Sequence, residues 1–492
     1  MLNLSLFARH ASSSSTKASS SCDIVVVGGG LVGNAIAASI GLNPLLRDHK
    51  VVVVDSAKTK PCLSTNPSIY SNRVSAVSPA SVALFRDLGV WNRLEKYRVK
   101  QVNKLHVIES ASRAEITFDR PGNAEVAFIV ENDAIVGVLS DLLSTLPNVT
   151  HRTSANVQSC QLPESMNELA SVTLDDGQSF SAQLAIGADG SNSIVRQSSS
   201  IDTTSWSYSQ SAVVATLKVS IDGSNDTAWQ RFSPNGPIAL LPLTSDLSSL
   251  VWTTTPDEAK RLCALTKDAF VDELNDALLT TSHQDSTVNQ ALFAIDSALS
   301  SLRSSIRHTS IPPHILSLET DNRSSFPLGL CHSQSYIAPR VALVGDAAHR
   351  VHPLAGQGVN MGWRDVVILI KILEKAHKSG ADIGSVSSLR RYDSLAQQYN
   401  VPTMVAIDWL NRLYRLVLSF AISGSYTSSV LNLPRSYLLA LSDYPLSIPS
   451  FLSRIFLSIL SPINPKCSTF SCICTVECIM ANQQSKIKYF YQ

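Results

Sequence analysis

One stretch near the start of the chain restricts the possible folds more than any other. Residues 23–27 form a short β-branched run, typical of a strand buried on both faces of a parallel sheet. Next come the turn Gly28-x-Gly30-x-x-Gly33, a helical stretch, a second strand at residues 51–54 and then Asp55. This order predicts a βαβ unit with the glycines at a pyrophosphate and Asp55 at a ribose. A plain strand-turn-helix connection is the alternative interpretation.

Two more glycine-rich segments follow later in the chain. The first, Gly187-Ala188-Asp189-Gly190-Ser191-Asn192, comes after a hairpin predicted from two short strands joined by an Asp-Gly turn. The second begins where the small apolar residues 341–344 end at Gly345-Asp346, and a turn at residues 356–362 then enters a helix. A carboxylate at the end of a buried strand is costly to leave unpaired. We therefore expect Asp346 to meet a helix N-terminus or the hydroxyl groups of a ligand.

A metal site is the alternative for this segment, with Asp346, His349 and His352 as ligands. Histidine ligands on a helix are more often four residues apart, and Pro353 and the following glycines break any helical face. His349 also has a purely structural interpretation. Four cysteines between residues 467 and 478 lack the paired spacing and the nearby histidine of a zinc site. We therefore predict no metal.

Length and composition indicate a large protein with more than one domain. The chain has 492 residues, of which 44% are hydrophobic, and a formal net charge of +1 without a long basic run. This composition argues against a nucleic-acid partner. Strand patterns at residues 100–130 and 206–325 predict an antiparallel substrate domain inserted into a nucleotide-binding domain at residues 23–99, 131–205 and 326–414.

The two ends of the chain differ from the rest. Residues 1–22 are basic, rich in serine and free of acidic residues before Asp23, as in a mitochondrial transit peptide. A disordered low-complexity tail is the alternative. Residues 415–492 are rich in Leu, Ser and Pro and then in Cys, and we treat them as a divergent tail. Within it, residues 416–434 carry no charge but many serines, so they are marginal as a membrane span.

The motifs and their order resemble the aromatic-hydroxylase class of FAD monooxygenases. Within this class, the chain is similar to the mitochondrial branch of the ubiquinone-biosynthesis FAD monooxygenases. The resemblance implies an α/β fold, with a Rossmann-like FAD-binding domain, an inserted antiparallel-β substrate domain and C-terminal helices. It extends from about residue 23 to residue 414, and beside the glycine-rich motifs it includes residues 70–79, 129–133, 211–217, 228–232, 236–243 and 326–329.

The resemblance also implies which residues contact FAD and the substrate. Implied on the ADP half of FAD are Gly28, Gly30, Gly33 and Asp55. Implied near the flavin or the pyrophosphate are Arg73, Asn132, Asp189 and Gly190. Implied on the ribityl chain is Asp346, and along the isoalloxazine edge the backbone of Gly356, Gln357, Gly358, Val359 and Asn360. The expected apolar wall for the substrate is Trp229, Phe232, Pro237, Leu240 and Pro242, with ordinary sheet core as the alternative. No catalytic acid or base is assigned.

The implied activity is hydroxylation of a 4-hydroxy-3-polyprenylbenzoate or related polyprenylphenol at C5 by O₂, through a flavin C4a-hydroperoxide. The sequence contains one Gly-x-Gly-x-x-Gly unit, so tight binding of NAD(P)H at a second dinucleotide fold is not expected. The resemblance implies ferredoxin and its reductase as the electron donor instead. Other implied features are a complex with ubiquinone-biosynthesis proteins and peripheral association with the matrix side of the inner mitochondrial membrane. The alternatives are a flavin reductase or epoxidase of an isoprenoid lipid and a non-catalytic prenyl-binding module. A non-catalytic prenyl-binding module would not need Asp189 and Asp346, so their presence favours an enzyme.

Overall fold

The structure is a computed structural model that describes part of the chain. The described residues are 20–58, 70–110, 115–119, 125–163, 165, 168–221, 223–233, 236–279 and 312–423, with side chains as far as residue 412. Outside this part lie residues 1–19 of the predicted transit peptide, residues 424–492 of the predicted tail and the C-terminal cysteines.

Strands make up most of the described part. In chain order they are β1 (Ser20–Val27), β2 (Val51–Val54), β3 (Val74–Val77), β4 (Lys100–Val102), β5 (Lys104–Glu109), β6 (Glu115–Asp119), β7 (Ala127–Glu131), β8 (Val149–Arg152), β9 (Val157–Gln161), β10 (Ala170–Leu174), β11 (Ser179–Gly187), β12 (Thr203–Ser220), β13 (Thr227–Ser233), β14 (Gly236–Pro242), β15 (Leu247–Thr254), β16 (His314–Leu318), β17 (Ser324–Ser333), β18 (Ile337–Ala338), β19 (Val341–Leu343) and β20 (His349–Arg350).

Helices connect and cover these strands. They are α1 (Gly33–Leu42), α2 (Pro79–Asp87), α3 (Trp91–Tyr97), α4 (Asn132–Thr145), α5 (Ile194–Ser198), α6 (Pro256–Ala264), α7 (Lys267–Leu279), α8 (Gln357–Lys378) and α9 (Val386–Ser423). Short 3-10 turns occupy Gly345–Ala347 and Leu354–Gly356. None of the helices in the described ranges is long and apolar enough to cross a membrane.

The first sheet has eight strands, with a parallel centre in the order β19-β11-β1-β2-β8. Strand β2 consists of four buried valines, the composition expected where both faces are covered. The predicted hairpin is present as the antiparallel pair β10–β11, with Gly177 at a φ of +82° in its turn. Because the central strands are parallel, the loops at their carboxyl ends all lie along one edge of the sheet, where ligands bind in such folds.

The second sheet has nine strands in the order β20-β17-β12-β15-β14-β13-β5-β6, with β16 attached to β12. Its pairs are antiparallel apart from β13–β5. Helices α6 and α7 cover one face, here called the outer face, where Leu217, Trp252 and Phe270 share one core. The opposite, inner face packs against the nucleotide-binding part, through contacts such as Leu328 with Met361 and Met404. This sheet is the predicted antiparallel insertion.

Three boundaries differ from those predicted. The boundary at residues 325/326 falls inside β17, whose Ser333 pairs with Thr203 at the start of β12. Strand β12 itself begins before residue 206, where the insertion was expected to start. Strand β1 includes residues 20–22, which we assigned to the transit peptide, and Cys22 is buried in the core. Pairing with strands more than a hundred residues away determines these limits, and no local turn signal marks them.

Candidate active site

The loop between β1 and α1 is shaped by its glycines. Gly28 has a φ of +102°, and a Cβ on it would overlap the carbonyl oxygen of Ala188. A Cβ on Gly33 would overlap the carbonyl oxygen of Gly28, so only glycine allows α1 to begin so close to the turn. At Gly30, no protein atom lies within 4 Å of the position of a Cβ. Its backbone therefore presents open space in which a pyrophosphate can approach.

Three carboxylates follow three strands of the parallel sheet: β2 and β11, which flank β1, and β19, which pairs with β11. Asp55 follows β2, Asp189 follows β11 and Asp346 follows β19, so all three lie at the ligand-binding edge. Asp55 is half-buried, and its Oδ1 accepts a hydrogen bond from the Ala57 N–H at 3.2 Å. Its Oδ2 lies beside the glycine turn, 2.8 Å from the position of a Cβ on Gly29. The arrangement suits a ribose next to the pyrophosphate turn.

The two carboxylate oxygens of Asp189 differ in their hydrogen bonds. Its Oδ2 accepts hydrogen bonds from the N–H groups of Ile194 at 2.7 Å and Val195 at 3.3 Å, which fixes the start of α5. Its Oδ1 is buried and has no hydrogen-bond partner in the described part of the chain. Gly190 has a φ of +80° with open space beside it. The second motif therefore offers one carboxylate oxygen and an accessible backbone to a ligand.

The buried Arg196 joins the second motif to the third. Its guanidinium donates to the carbonyl oxygen of Ser191 at 2.6 Å and to that of Ala347 at 2.7 Å. The first and third motifs also touch, since the Trp363 indole N–H donates to the Leu31 carbonyl oxygen at 3.1 Å. All three sequence motifs thus meet at one edge of the parallel sheet.

Asp346 lies in a recess at this edge. Its side chain is exposed, whereas Gly345, Ala347 and Ala348 beside it are buried. The protein around the carboxyl group raises its pKa by desolvation, and the charges of His349 and Arg350 oppose that shift. A side chain that is accessible and yet partly desolvated is open on one side only. This is the setting expected of a carboxylate that binds ligand hydroxyls.

Asp365 of α8 holds the turn that carries Asp346. Its Oδ2 accepts from the Gly345 N–H at 3.0 Å and lies 2.6 Å from His349 Nε2, while its Oδ1 accepts from Asn400 Nδ2 at 2.8 Å. Both members of the His349–Asp365 pair are buried. Burial lowers the pKa of His349, but Asp365 and then Asp346 more than offset this, and the net shift is upward.

This pairing bears on the alternative metal site. His349 Nε2 is engaged by Asp365, so it does not join Asp346 and His352 at a common ligand. Among the residues with described positions, no three His, Cys, Asp or Glu side chains are grouped as metal ligands.

The segment at residues 356–360 opens α8. Gly356 precedes the helix with a φ of +60°, and no side chain caps the helix N-terminus. The Asn360 amide is fully used in the fold. Its Oδ1 accepts from the Ser78 N–H at 2.9 Å and the Ser81 hydroxyl at 2.8 Å, and its Nδ2 donates to the carbonyl oxygens of Ala76 at 2.7 Å and Gly356 at 2.9 Å. Any contact of Asn360 with a ligand is therefore through its backbone.

The next three predicted positions form the first turn of α8. Gln357, Gly358 and Val359 are all half-buried. The N–H groups of a first helical turn have no partner within the helix, so they favour a negatively charged or electron-rich ligand.

Glu131 fixes the loop that carries Arg73. Its Oε1 accepts from the Ser71 N–H at 2.6 Å, and its Oε2 pairs with Arg98 at 2.9 Å. The Arg98 guanidinium also lies over the Tyr70 ring, 4.1 Å from the ring centre. Arg73 itself is exposed and forms no ion pair with any other residue whose position is described. Its charge remains available to an anionic ligand.

Asn132 and Asn72 support the same region from two sides. The Asn132 N–H donates to the Arg73 carbonyl oxygen at 2.9 Å, and its Oδ1 accepts from the Ser75 hydroxyl at 2.6 Å. Asn72 Oδ1 accepts from the Thr216 hydroxyl of β12 at 2.9 Å. The side-chain oxygen of Asn132, a residue predicted to contact the cofactor, is therefore already bonded within the fold. Asn72 joins the loop to the antiparallel sheet.

The predicted substrate wall divides between the two faces of the second sheet. Trp229 and Leu240 are paired in register and lie on the outer face, in the core beneath α6 and α7. The prediction that they line a substrate site does not fit this position. For these two residues the alternative of ordinary sheet core holds, because alternation along a strand places them away from the nucleotide-binding part.

Phe232 occupies the inner face instead. It shares an apolar cluster with Leu354, just before Gly356, and with Ile407 of α9. Pro237 pairs with Phe232 in register and shares its face. Pro242 is buried at the end of β14, two residues beyond Leu240 and therefore on the outer side. Of the predicted wall, Phe232 and Pro237 are on the side that faces the glycine-rich motifs.

The residues at the sheet edge fit FAD. The open backbone at Gly30 suits a pyrophosphate, Asp55 suits a ribose, and Asp346 in its recess suits a hydroxylated chain. The uncapped start of α8 lies at the far end of the same edge, beside the inner face of the second sheet.

Comparisons with known proteins point to the same cofactor and fold. A family model described as "FAD binding domain" matches residues 21–299 and 296–398. The crystal structure of PqsL, a probable FAD-dependent monooxygenase from Pseudomonas aeruginosa, has the same fold, with a TM-score of 0.60 and 20% identity over 82% of this chain and 98% of that one. These matches confirm the predicted α/β fold and the FAD cofactor.

Two relatives narrow the class further. Ubiquinone biosynthesis monooxygenase COQ6, mitochondrial, of Caenorhabditis elegans is 47% identical over 404 residues, covering 81% of this chain and 89% of that protein. The Homo sapiens protein of the same name is 41% identical over 399 residues, covering 80% and 85%. The chain belongs to this family of ubiquinone biosynthesis monooxygenases and is an FAD-dependent monooxygenase. The predicted mitochondrial location is confirmed in the same way, by relatives named as mitochondrial.

Sequence reasoning left two supporting residues unassigned. Asp365 interrupts an apolar helical stretch next to Trp363 and Val366, and a buried carboxylate requires partners, so its position was a usable signal. Arg196 closes the second motif, but its partner at Ala347 is 151 residues away and is not visible from the sequence.

Proposed function

We propose that this enzyme hydroxylates a 4-hydroxy-3-polyprenylbenzoate or a related polyprenylphenol at C5, the ring carbon ortho to the phenol oxygen. The observation that carries the proposal is the position of the apolar inner face. Phe232 and Leu354 pack in one cluster there, two residues from Gly356, where the segment expected along the isoalloxazine edge begins. The names of the relatives, which refer to ubiquinone biosynthesis, support the same substrate class.

The division of labour between cofactor and protein follows from this arrangement. FAD, when bound, supplies the chemistry that activates O₂ and transfers one oxygen atom. The phenol oxygen donates electron density to the ortho carbon, which makes that carbon the nucleophile. The protein has to hold the ring beside the bound cofactor and exclude water. The half-buried Leu241 and Val351 offer apolar surface for this, and the buried Phe232 and Leu354 form the cluster behind them.

An isoprenoid tail should dominate substrate affinity. Each CH₂ moved from water into an apolar site contributes about 0.8 kcal/mol. A tail of several isoprene units therefore outweighs the small polar head, and short-tailed analogues should bind more weakly than long-tailed ones.

We further propose that electrons come from ferredoxin and ferredoxin reductase. The described part of the chain contains one βαβ unit with the Gly-x-Gly-x-x-Gly turn, at β1 and α1, and the FAD site uses it. A tightly bound nicotinamide dinucleotide would need a second site. We also propose peripheral association with the matrix side of the inner membrane, in a complex with other ubiquinone-biosynthesis proteins.

The experiment is complementation of a cell that lacks its own family member, followed by profiling of ubiquinone intermediates. We expect this chain to remove the precursor that lacks the C5 oxygen. Persistence of that precursor, when a family member from another species clears it, would contradict the proposed reaction. An isoprenoid epoxide as the product would instead support the alternative epoxidase.

A stopped-flow measurement tests the electron donor. Ferredoxin with its reductase should reduce the bound flavin, and NADPH alone should not. Rapid reduction by NADPH alone would contradict the proposed donor and would favour the alternative of a flavin reductase.

A further inference from the structure

Part of the inner face of the second sheet is only half-buried among the described residues. Along β14 the outward side chains Ile238 and Leu240 are each 1% exposed, whereas the inward Ala239 and Leu241 are only half-buried. Val251, which pairs with Ala239 from β15, is also half-buried and inward. We call Ala239, Leu241 and Val251 the inner patch. It is an apolar surface on the side that faces the nucleotide-binding part.

The inner patch faces the segment that leads into α8. Val351 packs against both apolar clusters of the inner face, including the cluster that contains Leu241 and Leu354. Val351 also lies 3.6 Å from the position that a Cβ would take on Gly358. Val351 therefore connects the apolar cluster that Leu241 packs against with the start of α8, the expected flavin edge.

Gln230 borders this patch with an amide that the fold does not use. It pairs with Ala239 on one side and Val107 on the other, and it shares the inner face with Phe232. The residue is 5% exposed, and its amide forms no hydrogen bond with another residue in the described part of the chain. The amide atoms retain some accessible surface, unlike the fully buried polar atoms that lack a partner. A ligand at the inner patch can therefore reach a hydrogen-bonding group that the fold does not use.

Ser249 shows that lack of a partner is not sufficient by itself. It also lies on the inner face, pairing with Leu241, and its hydroxyl has no hydrogen-bond partner among the described residues. It is 0% exposed, however, so no ligand reaches it. Gln230 keeps some access to the surface beside the inner patch.

We propose that the Gln230 amide recognises a polar substituent of the aromatic ring, with the inner patch as the floor beneath that ring. An amide both donates and accepts hydrogen bonds, so it pairs with a phenol hydroxyl or with a ring carboxylate. Gln230 is thus a specificity-determining residue that selects and orients the ring. This inference rests on the proposed function, because it takes the substrate to be a phenol with an apolar tail.

The test uses FAD-loaded protein and ligands that lack the full tail. The Gln230→Met variant keeps the length of the side chain and removes its hydrogen bonds. We expect it to bind 3-geranyl-4-hydroxybenzoate about 10- to 100-fold more weakly, by the change in the flavin absorption spectrum. Affinity for FAD itself should not change. Ser249→Ala is the matched control and should bind the ligand as the wild type does.

A second ligand separates recognition of the ring head from general loss of the site. Geranylbenzene has no polar substituent, so wild type and Gln230→Met should bind it equally well. Equal binding of the polar ligand by both proteins, or an equal loss of both ligands, would overturn the assignment of Gln230. If the wild type binds neither ligand, the proposed function fails together with this inference. Gln230→Asn, which withdraws the amide by one methylene, provides the same comparison if Gln230→Met does not retain FAD.

Discussion

The two largest sheets in the described part of this enzyme build their parts of the site in different ways. In the parallel sheet, candidate ligand contacts stand at the ends of strands, as Asp55 follows β2 and Asp346 follows β19. In the antiparallel sheet the candidate contacts lie in the middle of strands. Successive side chains point to opposite faces of the sheet, so the face on which a residue lies determines its role. Trp229 and Gln230 are neighbours in the chain, but one lies in the core beneath α6 and α7 and the other borders the inner patch.

The comparison shows where the burial of a side chain helps to identify a ligand contact. At a strand end, an accessible polar side chain is already a good candidate for binding. Within a sheet, both faces are largely buried, so burial of Trp229 or Phe232 does not by itself indicate a ligand. The covering elements decide the role of each face: helices that complete a core on one side, and the glycine-rich motifs of the FAD site on the other.

The largest expected effect tests the two faces of the antiparallel sheet. Trp229→Ala, on the outer face, should lower the free energy of unfolding by about 3–5 kcal/mol, because it leaves a large cavity. Leu241→Ala, on the half-buried inner patch, should cost only about 1 kcal/mol. Urea denaturation of the two FAD-loaded variants measures both values. Similar losses of stability in the two variants would remove the distinction between the faces.

The next effect tests the strand ends of the parallel sheet. Asp346→Ala should weaken FAD binding by about 1.5–3 kcal/mol, since charged hydrogen bonds to the ribityl hydroxyls are lost. Fluorescence titration of the apoprotein with FAD measures this change. Asp141→Ala, which removes an exposed carboxylate paired with Arg93, is the control and should leave FAD affinity unchanged. Full occupancy by FAD in Asp346→Ala at limiting concentration would contradict the assignment.

The smallest effect concerns the buried pair behind Asp346. Because the pKa of His349 is raised in the folded protein, the charged pair with Asp365 stabilises the fold fully below the unfolded pKa, and this contribution is lost as the pH rises through the folded pKa. The difference in unfolding free energy between wild type and His349→Gln should therefore be greatest near about pH 6 and shrink toward about pH 9. Burial lowers the pKa of the nearby His332, the opposite direction to that of His349. Urea melts across this range measure the trend, and a difference that does not vary with pH would show that the pair is not charged.

Much of the nucleotide-binding half can be predicted from local sequence patterns. The strand-turn-helix order around Gly28 and the hairpin before Gly187 are local features, formed by residues that are consecutive in the chain. The parallel arrangement then brings the strand ends to one edge, so Asp55, Asp189 and Asp346 could be placed together without a structure. For such elements, backbone geometry and strand propensity over about ten residues are sufficient.

Which side chains of the antiparallel sheet face the cofactor depends on contacts between distant segments. Alternation along β13 and β14 predicts two faces but not which of them α6 and α7 cover, so it does not show that Trp229 and Leu240 lie on the outer face. The hydrogen bonds of Asp365 and Arg196 likewise join residues from separate segments. Strand register, helix coverage and buried polar contacts each join residues that lie far apart in the sequence. Local sequence patterns therefore do not predict which of these residues meet.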